Sequence, residues 1–334
     1  MAWSWDFMLQ VFRSLGGKAD NIARTNGPGG RGLVALDPGK SVLLHAPPNL
    51  IFPVGDVEFV QSHLRIRNGA KIGNAEKTFF ENYYDAFSWG SGGRAESVAF
   101  INALAELPAE VRALLSADFG LAGLAEGGDA RAEQWFLRSR RFRWRDVAVL
   151  VPVLELVDHG ADANPYGEEN GVTIATDPSE DILVLRSKVG PFGAFLRFGF
   201  ASPERVAFSL PMTFGTEGGC EIVIGQNINT NSTMGSLPVP DYEVDGAAVR
   251  FSCLMIGNAR LPRVSRGIFY RVMKEAGQPN PEQVFDVILH KNRLAFLGLL
   301  EAIEPYEGGL IPALRKAARH QLEAMSWCIG AREL

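Results

Sequence analysis

The spacing of hydrophobic and polar positions changes several times along the chain, and each change marks a new type of element. Apolar residues at helical spacing over residues 4–16 predict a short amphipathic helix that stops at two glycines. Leucine and β-branched runs on either side of a Pro-Gly turn predict a β-hairpin over residues 30–46. The chain therefore begins with a helix that leads into strands.

Helical spacing dominates the next stretch, residues 57–145, with predicted helices at 95–106, 109–117 and 130–140. Strand signals return at residue 146. The apolar run VAVLVPVLELV is long for one buried strand, so we expect a strand joined to a turn or a short helix. Further short strands are predicted at 172–175, 181–186, 194–200 and 205–210.

The last third of the chain is predicted to change from strand to helix. Residues 218–262 contain strands around a polar loop, GQNINTNSTMGS, and residues from 266 onward follow a helical pattern that prolines and glycines divide into three helices. Strands, a helical insertion, strands and a helical tail follow one another without regular βαβ alternation. This order predicts an α+β fold.

Composition and charge narrow the function classes. The chain has 33 Lys and Arg against 38 Asp and Glu, a net charge of −5, which argues against binding a nucleic-acid backbone as the main activity. No apolar run reaches the ~18–20 residues that a membrane span needs, and the first residues do not have the pattern of a signal peptide. The cysteines, Cys220, Cys253 and Cys328, are far apart, so we expect a reduced, cytoplasmic protein without a disulfide framework.

Three separated stretches, read in order, form a recognisable pattern. They are GGRGLVAL at 29–36, WFLRSRRF at 135–142 and LVPVLELVDHGADANPY at 150–166. The glycine-rich stretch leads into a strand, so it is not a dinucleotide-binding fingerprint. Together the three resemble the SET-domain methyltransferases, specifically the branch that includes the Rubisco large-subunit lysine methyltransferases and the actin-histidine enzymes.

This resemblance implies a SET-like β-core of small sheets with a helical insertion and a mainly helical C-terminal domain. It divides the chain into an N-terminal helix with the first part of the core, the insertion, the second part of the core, and a C-terminal domain that resembles a substrate-binding domain. The corresponding ranges are 1–56, 57–145, 146–215 and 216–334.

The resemblance also implies S-adenosylmethionine as the cofactor. The glycine-rich turn would let its backbone approach the methionine part of the cofactor. The arginine and phenylalanine of the second motif would contact the carboxylate and its surroundings, and the Asp-His pair would bind the methionine end and the adenine. The cofactor-binding residues implied in this way are Gly30, Arg31, Gly32, Arg140, Phe142, Asp158 and His159.

The chain departs from the family pattern at positions that bear on the chemistry. Asp158 stands where the family has asparagine, so this side chain can accept a hydrogen bond from the cofactor's ammonium group but cannot donate one when it is ionised. Gly160 replaces the serine after the histidine, and Glu155 stands at the position of an aspartate. Each change alters the polar groups that the site offers.

The family's catalytic tyrosine has no counterpart in the expected place. Counting back from the segment PFGAFLRFGF leads to Leu185 and Arg186, and no tyrosine occurs between Tyr166 and Tyr242. Tyr166 follows Asp158 by eight residues and is the nearest candidate for the role. With it, Asp158 and Glu155 are the candidate catalytic residues, because buried carboxyl groups can be tuned for acid–base chemistry.

Three functions from different classes remain open on the sequence. The first is an S-adenosylmethionine-dependent methyltransferase that acts on a protein lysine or histidine. The second is an enzyme of this fold that acts on a small molecule, as in natural-product biosynthesis, without methyl transfer. The third is a non-catalytic binding protein, for which a partner protein is possible. No spacing of histidine, cysteine and carboxylate residues predicts a metal site.

Overall fold

The computed structural model describes residues 3–25, 32–121, 127–179, 181–186, 188–226, 237, 239–246 and 248–329. The chain divides into two compact units. Unit 1 contains Met1–Asn102 and Gly127–Ser187, and unit 2 contains Ala103–Glu126 and Lys188–Leu334. Each unit is therefore built from two separate stretches of sequence. The division into four domains given above stays a prediction.

The described helices occur mainly in the middle and at the end of the chain, as the helical spacing predicts. They are α1 (Trp5–Ser14), α2 (Asn74–Phe87), α3 (Arg94–Ala105), α4 (Ala109–Phe119), α5 (Asp129–Arg140), α6 (Pro191–Phe198), α7 (Val264–Glu275), α8 (Pro281–Ile303) and α9 (Ile311–Ile329). None of them combines the length and the apolar composition that a membrane span requires, within the described part of the chain.

The strands of unit 1 are short and form several small sheets. They are β1 (Lys18–Asp20), β2 (Ile22–Thr25), β3 (Gly32–Ala35), β4 (Val42–Ala46), β5 (Phe52–Pro53), β6 (Val57–Val60), β7 (His63–Ile66), β8 (Phe142–Trp144), β9 (Val147–Leu150), β10 (Asp158–His159), β11 (Val172–Thr176) and β12 (Leu183–Val184). Their sheets have the orders β1-β4-β11, β2-β3, β5-β9-β8, β6-β7 and β10-β12. The last pair is parallel and the others are antiparallel.

Unit 2 combines two further sheets with the C-terminal helices. Its strands are β13 (Val206–Phe208), β14 (Met212–Gly215), β15 (Glu221–Ile224), β16 (Tyr242–Val244), β17 (Ala248–Phe251) and β18 (Met255–Asn258). β13 pairs with β18, and the other four have the order β14-β15-β17-β16. Helix α9 packs on α6, α8 and β18. A side chain at Gly257 of β18 would lie 2.3 Å from the main-chain oxygen of Ala324 in α9, so this close approach requires glycine.

The chain is an α+β protein of small sheets, with helices between the two groups of strands and at the C-terminal end, as predicted. Helices α3, α4 and α5 confirm the three helices of the predicted insertion. The apolar run after residue 146 is strand β9 followed by a 3₁₀ turn at Leu154–Leu156, again as predicted. Most of the predicted polar loop lies outside the described residues.

Two predictions for the N-terminal third are wrong. The 30–46 hairpin does not form, because β3 pairs with β2 while β4 pairs with β1 and β11. The side chain of Asn21 explains this: its amide donates to the Asp37 carbonyl (2.9 Å) and its oxygen accepts from the Asp37 amide (2.8 Å), which fixes the turn before β4 against the β1–β2 junction. Helix also does not begin at 57, where β6 and β7 form a hairpin.

The strand predicted at 194–200 is wrong as well, since this segment belongs to helix α6. Pro191 occupies the first turn, and Gly199 ends the helix in the left-handed region at φ 82°. Apolar residues are so dense in this short helix that their spacing does not distinguish it from a buried strand. The Pro and Gly at the two ends are the local signals that the hydrophobic pattern obscures.

An aromatic cluster forms part of the core of unit 2. The Phe119 ring of α4 lies 4.9 Å from the Phe192 ring and 5.0 Å from the Phe296 ring, measured between ring centroids. All three side chains are buried. Helix α4, which comes from the predicted insertion, is thereby built into the core of the unit that contains the C-terminal helices.

Phe119→Ala is expected to lower the free energy of unfolding by about 3–5 kcal/mol, because the truncation opens a cavity in this core. Chemical denaturation followed by circular dichroism measures the change. Phe200→Ala is the matched control in the same unit: this ring is 44% exposed, and its loss should cost about 1 kcal/mol or less. Equal effects of the two substitutions would contradict the packing described here.

Candidate functional site

Residues from the three motifs come together within unit 1. Gly32 begins β3 and lies opposite Thr25 of β2. A side chain built at Gly32 would meet the Thr25 methyl group at 2.9 Å and a carboxylate oxygen of Asp158 at 3.5 Å. Glycine leaves room here for the Thr25 side chain, which a Cβ at this position would force to shift. The first and third motifs, more than a hundred residues apart, meet at this point.

A buried carboxylate is the centre of the site. Glu155 lies in the 3₁₀ turn after β9 and is fully buried. One of its carboxylate oxygens accepts a hydrogen bond from the Tyr83 hydroxyl at 2.9 Å, and the other forms an ion pair with Nε of Arg140 at 3.5 Å. Arg140 also donates from Nη1 to the main-chain oxygen of Glu155 at 3.2 Å. The second and third motifs are joined through this carboxylate.

Arg186, which no motif assigns, is buried in the same cluster. Its Nη1 donates to the Glu155 carbonyl at 3.1 Å, and its Nη2 donates to the Arg140 carbonyl at 2.7 Å. Its guanidinium lies over the Phe142 ring, 4.7 Å from the centroid. Burial and the nearby Arg140 lower the pKa of Arg186 to about 10, so the guanidinium remains protonated at neutral pH.

Two tyrosines of helix α2 complete the cluster. Burial, and then the negative charge of Glu155, raise the pKa of Tyr83 and the pKa of Tyr84 well above the usual value for tyrosine. Both hydroxyls therefore stay protonated at neutral pH. The Tyr84 hydroxyl and the Nε of Arg186 are buried and have no hydrogen-bond partner among the described residues.

Backbone strain precedes the turn that carries Glu155. Val153 adopts φ 70° and ψ −55°, a region that β-branched residues rarely enter. Such a conformation costs about 1–3 kcal/mol and persists only where the surrounding packing enforces it. Val153 is fully buried, and so are Leu154 and Leu156 of the turn that follows. The packing of this segment therefore fixes the direction in which the Glu155 carboxylate points.

The Asp-His pair lies on β10, beside β12. Asp158 is exposed and His159 is buried. The Nδ1 atom of His159 accepts a hydrogen bond from the Arg186 main-chain amide at 3.2 Å. Of the three candidate catalytic residues, Asp158 is the one that reaches the surface. Arg186 thus contacts His159 through its backbone and Glu155 through its side chain.

Tyr166 packs against Phe142, the last residue of the second motif. Its hydroxyl donates to the Arg143 carbonyl at 2.8 Å and accepts from the Arg143 amide at 3.1 Å. Its ring packs edge-on against Phe142, with 5.1 Å between centroids. The side chain is 4% exposed. The structure therefore brings Tyr166 to Phe142, with its hydroxyl bonded to main chain in both directions.

Most of the predicted site residues, but not all, lie in the part of the chain that the structure describes. Gly30 and Arg31 lie outside the described residues, and the others lie in or beside the cluster around Glu155. Sequence reasoning missed Tyr83, Tyr84 and Arg186. The tyrosines belong to a run of aromatic residues on α2 that indicates only core packing. The count back from PFGAFLRFGF reaches Leu185 and Arg186 but gives neither of them a role.

A surface cavity of about 720 Å³ occurs elsewhere in unit 1. Its lining includes His63, Asp85, Trp89, Arg94 and Asp129, and none of the predicted site residues. His63 Nδ1 contacts the Asp85 carboxylate at 2.9 Å, and Arg65 contacts the same carboxylate through two hydrogen bonds. Among the residues that the structure describes, no group of histidine, cysteine and carboxylate side chains has the geometry of a metal site.

Several solved structures are similar to this chain, and three of them are described here. The SET domain of LSMT bound to lysine and AdoHcy has 11% identity and a TM-score of 0.41, with 98% of this chain and 90% of that chain covered. Rubisco LSMT bound to AdoMet has 11% identity and a TM-score of 0.42, with coverages of 100% and 92%. The SET domain of LSMT bound to methyl-lysine and AdoHcy has 12% identity and a TM-score of 0.41, with coverages of 98% and 91%.

Neither a scan against protein-family models nor a search of curated proteins finds a match.

Glu155→Gln is expected to lower the free energy of unfolding by about 3–5 kcal/mol, since it leaves two arginines near a buried position without their counter-charge. Chemical denaturation provides the measurement. Glu169→Gln, an exposed residue of the same unit, is the matched control and should change stability by no more than about 0.5 kcal/mol. A Glu155→Gln variant as stable as the wild type would show that the ion pair does not hold this cluster together.

The hydrogen bonds to the Asp85 carboxylate predict that stability decreases in the acid range. Burial acts to raise the pKa of its carboxyl, but hydrogen bonds from Arg65 and His63 outweigh this effect and hold the pKa below the ordinary value of 3.8. As the pH falls through 3.8 and below, the unfolded chain takes up the proton first, so this contribution to stability is lost. The melting temperature should therefore fall less steeply between pH 6 and pH 3 for Asp85→Asn than for Asp20→Asn, an exposed control that keeps Asp85. Equal slopes for the two variants would contradict this role of Asp85.

Proposed function

We propose that this chain is an S-adenosylmethionine-binding protein of the SET type and that methyl transfer is its reaction. The observation that carries the proposal is the meeting of the three motifs in unit 1. Gly32 lies beside Asp158, and Arg140 is paired with Glu155. Residues from distant parts of the sequence thus form one cluster, although none of the motifs is specific alone.

The groups in this cluster fit the polar end of the cofactor. The cofactor's amino acid end carries an ammonium and a carboxylate. Asp158 provides an exposed carboxylate for the ammonium, beside a glycine that leaves room for a close approach. Arg140 is 16% exposed and, of its donors, uses Nη1 for a hydrogen bond and Nε for the ion pair with Glu155. Its Nη2 is the donor that the proposal assigns to the cofactor's carboxylate.

When bound, S-adenosylmethionine would supply a methyl group on its sulfonium, which an acceptor nucleophile would take by in-line attack as the C–S bond breaks and S-adenosylhomocysteine leaves. The chain's task is to align the two partners and to hold them still. Asp158 and Arg140 would fix the amino acid end, and the backbone beside Gly32 would limit its movement. Glu155 and Tyr166, predicted as acid–base groups, are buried and hydrogen-bonded. The proposal therefore gives them the task of holding Arg140 and Phe142 in place.

The acceptor that we propose is a protein lysine or histidine. A second candidate is an enzyme of the same fold that acts on a small molecule without methyl transfer. Arg186 favours this alternative, because a buried, positively charged guanidinium occurs next to Leu185, where the resemblance leads one to look for the catalytic tyrosine. A cation near the acceptor opposes the binding of a second cation, such as a lysine ammonium group.

Calorimetric titration with S-adenosylmethionine tests the proposal directly. We expect saturable binding to the wild type and at least a tenfold weaker affinity for Arg140→Ala and for Asp158→Ala, since each loses a charge-assisted hydrogen bond worth roughly 1.5–3 kcal/mol. Arg141→Ala is the control, an exposed arginine at the end of the same helix.

The result separates the candidate functions. Binding that the two substitutions weaken and the control does not would support the cofactor site, and a screen of methyl acceptors would then separate methyl transfer from the second candidate. If millimolar cofactor gives neither heat nor a thermal shift, the proposal of a methyltransferase fails. Binding that all three variants retain would place the cofactor somewhere other than this cluster.

A further inference from the structure

Arg186 is bonded to main chain in three places through its guanidinium. Nη2 donates to the Arg140 carbonyl at 2.7 Å, and Nη1 donates to the Glu155 carbonyl at 3.1 Å and to the Val157 carbonyl at 3.5 Å. The side chain is 5% exposed. A buried arginine used in this way is a connector between chain segments, because its planar fork holds several acceptors in a fixed arrangement.

The segments that Arg186 connects are those that carry the candidate cofactor residues. Arg140 ends helix α5, and the other two carbonyls belong to the turn between Glu155 and Asp158. The main-chain amide of Arg186 binds His159 Nδ1 at 3.2 Å, and its guanidinium covers the Phe142 ring at 4.7 Å. One residue thus contacts the second and the third motif, from its side chain and from its backbone.

Neighbouring contacts extend the connection toward the first motif. The chain just before Arg186 forms strand β12, which pairs with β10, and Asp181 forms a bridge with Val34 of β3. The Gly160 amide donates to the Val184 carbonyl at 3.1 Å. The segment that ends at Arg186 therefore lies between the strand of Gly32 and the strand of Asp158.

Arginine suits this position better than lysine or a neutral amide. Three carbonyl oxygens in a buried place need donors, and one guanidinium supplies them in a single plane. The Glu155 carboxylate offsets part of the charge, and the pKa of about 10 keeps the guanidinium protonated at neutral pH. Lysine has the charge without the fork, and glutamine has a planar amide with fewer donors and no charge.

We propose that Arg186 is the positioning residue of the candidate cofactor site: it holds the end of α5 and the Glu155–Asp158 turn at the spacing that lets Arg140 and Asp158 bind one ligand. The inference rests on the proposed function and deepens it, because it assigns the assembly of the site to a residue outside the three motifs. Arg186 is not given a catalytic role, since it acts through the residues that it holds.

Chemical rescue of a truncated variant tests the positioning directly. Arg186→Ala should bind S-adenosylhomocysteine at least tenfold more weakly than the wild type in calorimetry. Guanidinium chloride at low millimolar concentration should restore much of this affinity by filling the space, whereas sodium chloride and urea at the same concentration should not. Arg141→Lys is the matched control and should bind as the wild type does.

Hydrogen exchange of the protein without cofactor provides a readout that does not depend on binding. Arg186→Ala should increase amide exchange in the segments 136–142 and 153–159 and leave helix α8 unchanged. Arg186→Lys, which keeps the charge and part of the bonding, should give a smaller increase in the same segments. If the alanine variant does not fold, Arg186→Lys is compared with the wild type instead, in cofactor affinity and in amide exchange.

The outcomes separate this inference from the proposed function. A wild type that binds no cofactor overturns the proposed function, while local exchange around residues 136–142 and 153–159 still decides whether Arg186 holds these segments. Exchange that rises throughout both units, or affinity that Arg186→Ala leaves unchanged, overturns the positioning role. Rescue by guanidinium together with local exchange supports it.

Discussion

The buried negative charge of Glu155 is the constraint on which the candidate site depends. A carboxylate without water around it is stable only with a counter-charge and hydrogen bonds. Here Arg140 supplies the ion pair and Tyr83 supplies a hydrogen bond, while Arg186 holds the main chain on which the carboxylate stands. These partners come from three parts of unit 1: Arg140 from helix α5, Tyr83 from helix α2 and Arg186 from the segment after β12. The buried charge therefore fixes these parts relative to one another.

Much of the fold is predictable from hydrophobic spacing, and the errors have local causes. The insertion helices are visible because their apolar residues recur every three or four positions over ten or more residues. Helix α6 is only eight residues long and mostly apolar, so the spacing alone does not identify it. The pairing of β3 with β2 instead of β4 is accompanied by hydrogen bonds from the Asn21 side chain to the turn at Asp37, a tertiary contact that no local rule contains.

The candidate site is predictable in part for a related reason. Motif residues such as Arg140, Glu155 and Asp158 stand at fixed places in short patterns, so a sequence can reveal them. Arg186 and Tyr83 belong to no sequence pattern. Their role is to donate hydrogen bonds to Glu155, which is buried and far away in the sequence. Counting along the family resemblance leads to Leu185 and Arg186, but only the three-dimensional contacts show that Arg186 bonds to the neighbouring main chain.

The chain passes from unit 1 to unit 2 at residue 102, returns at 127 and leaves again after 187. During synthesis, all the described residues of the candidate site have therefore been made once residue 186 is complete, long before the C-terminal helices. Helix α4 is already present by then, yet its core partner Phe296 lies in α8. A ribosome-bound chain of this length would display the Phe119 face of α4 without its partner. Phe119 can therefore be buried against Phe296 only after α8 has been translated, so the core of unit 2 closes after the whole sequence of unit 1 has been made.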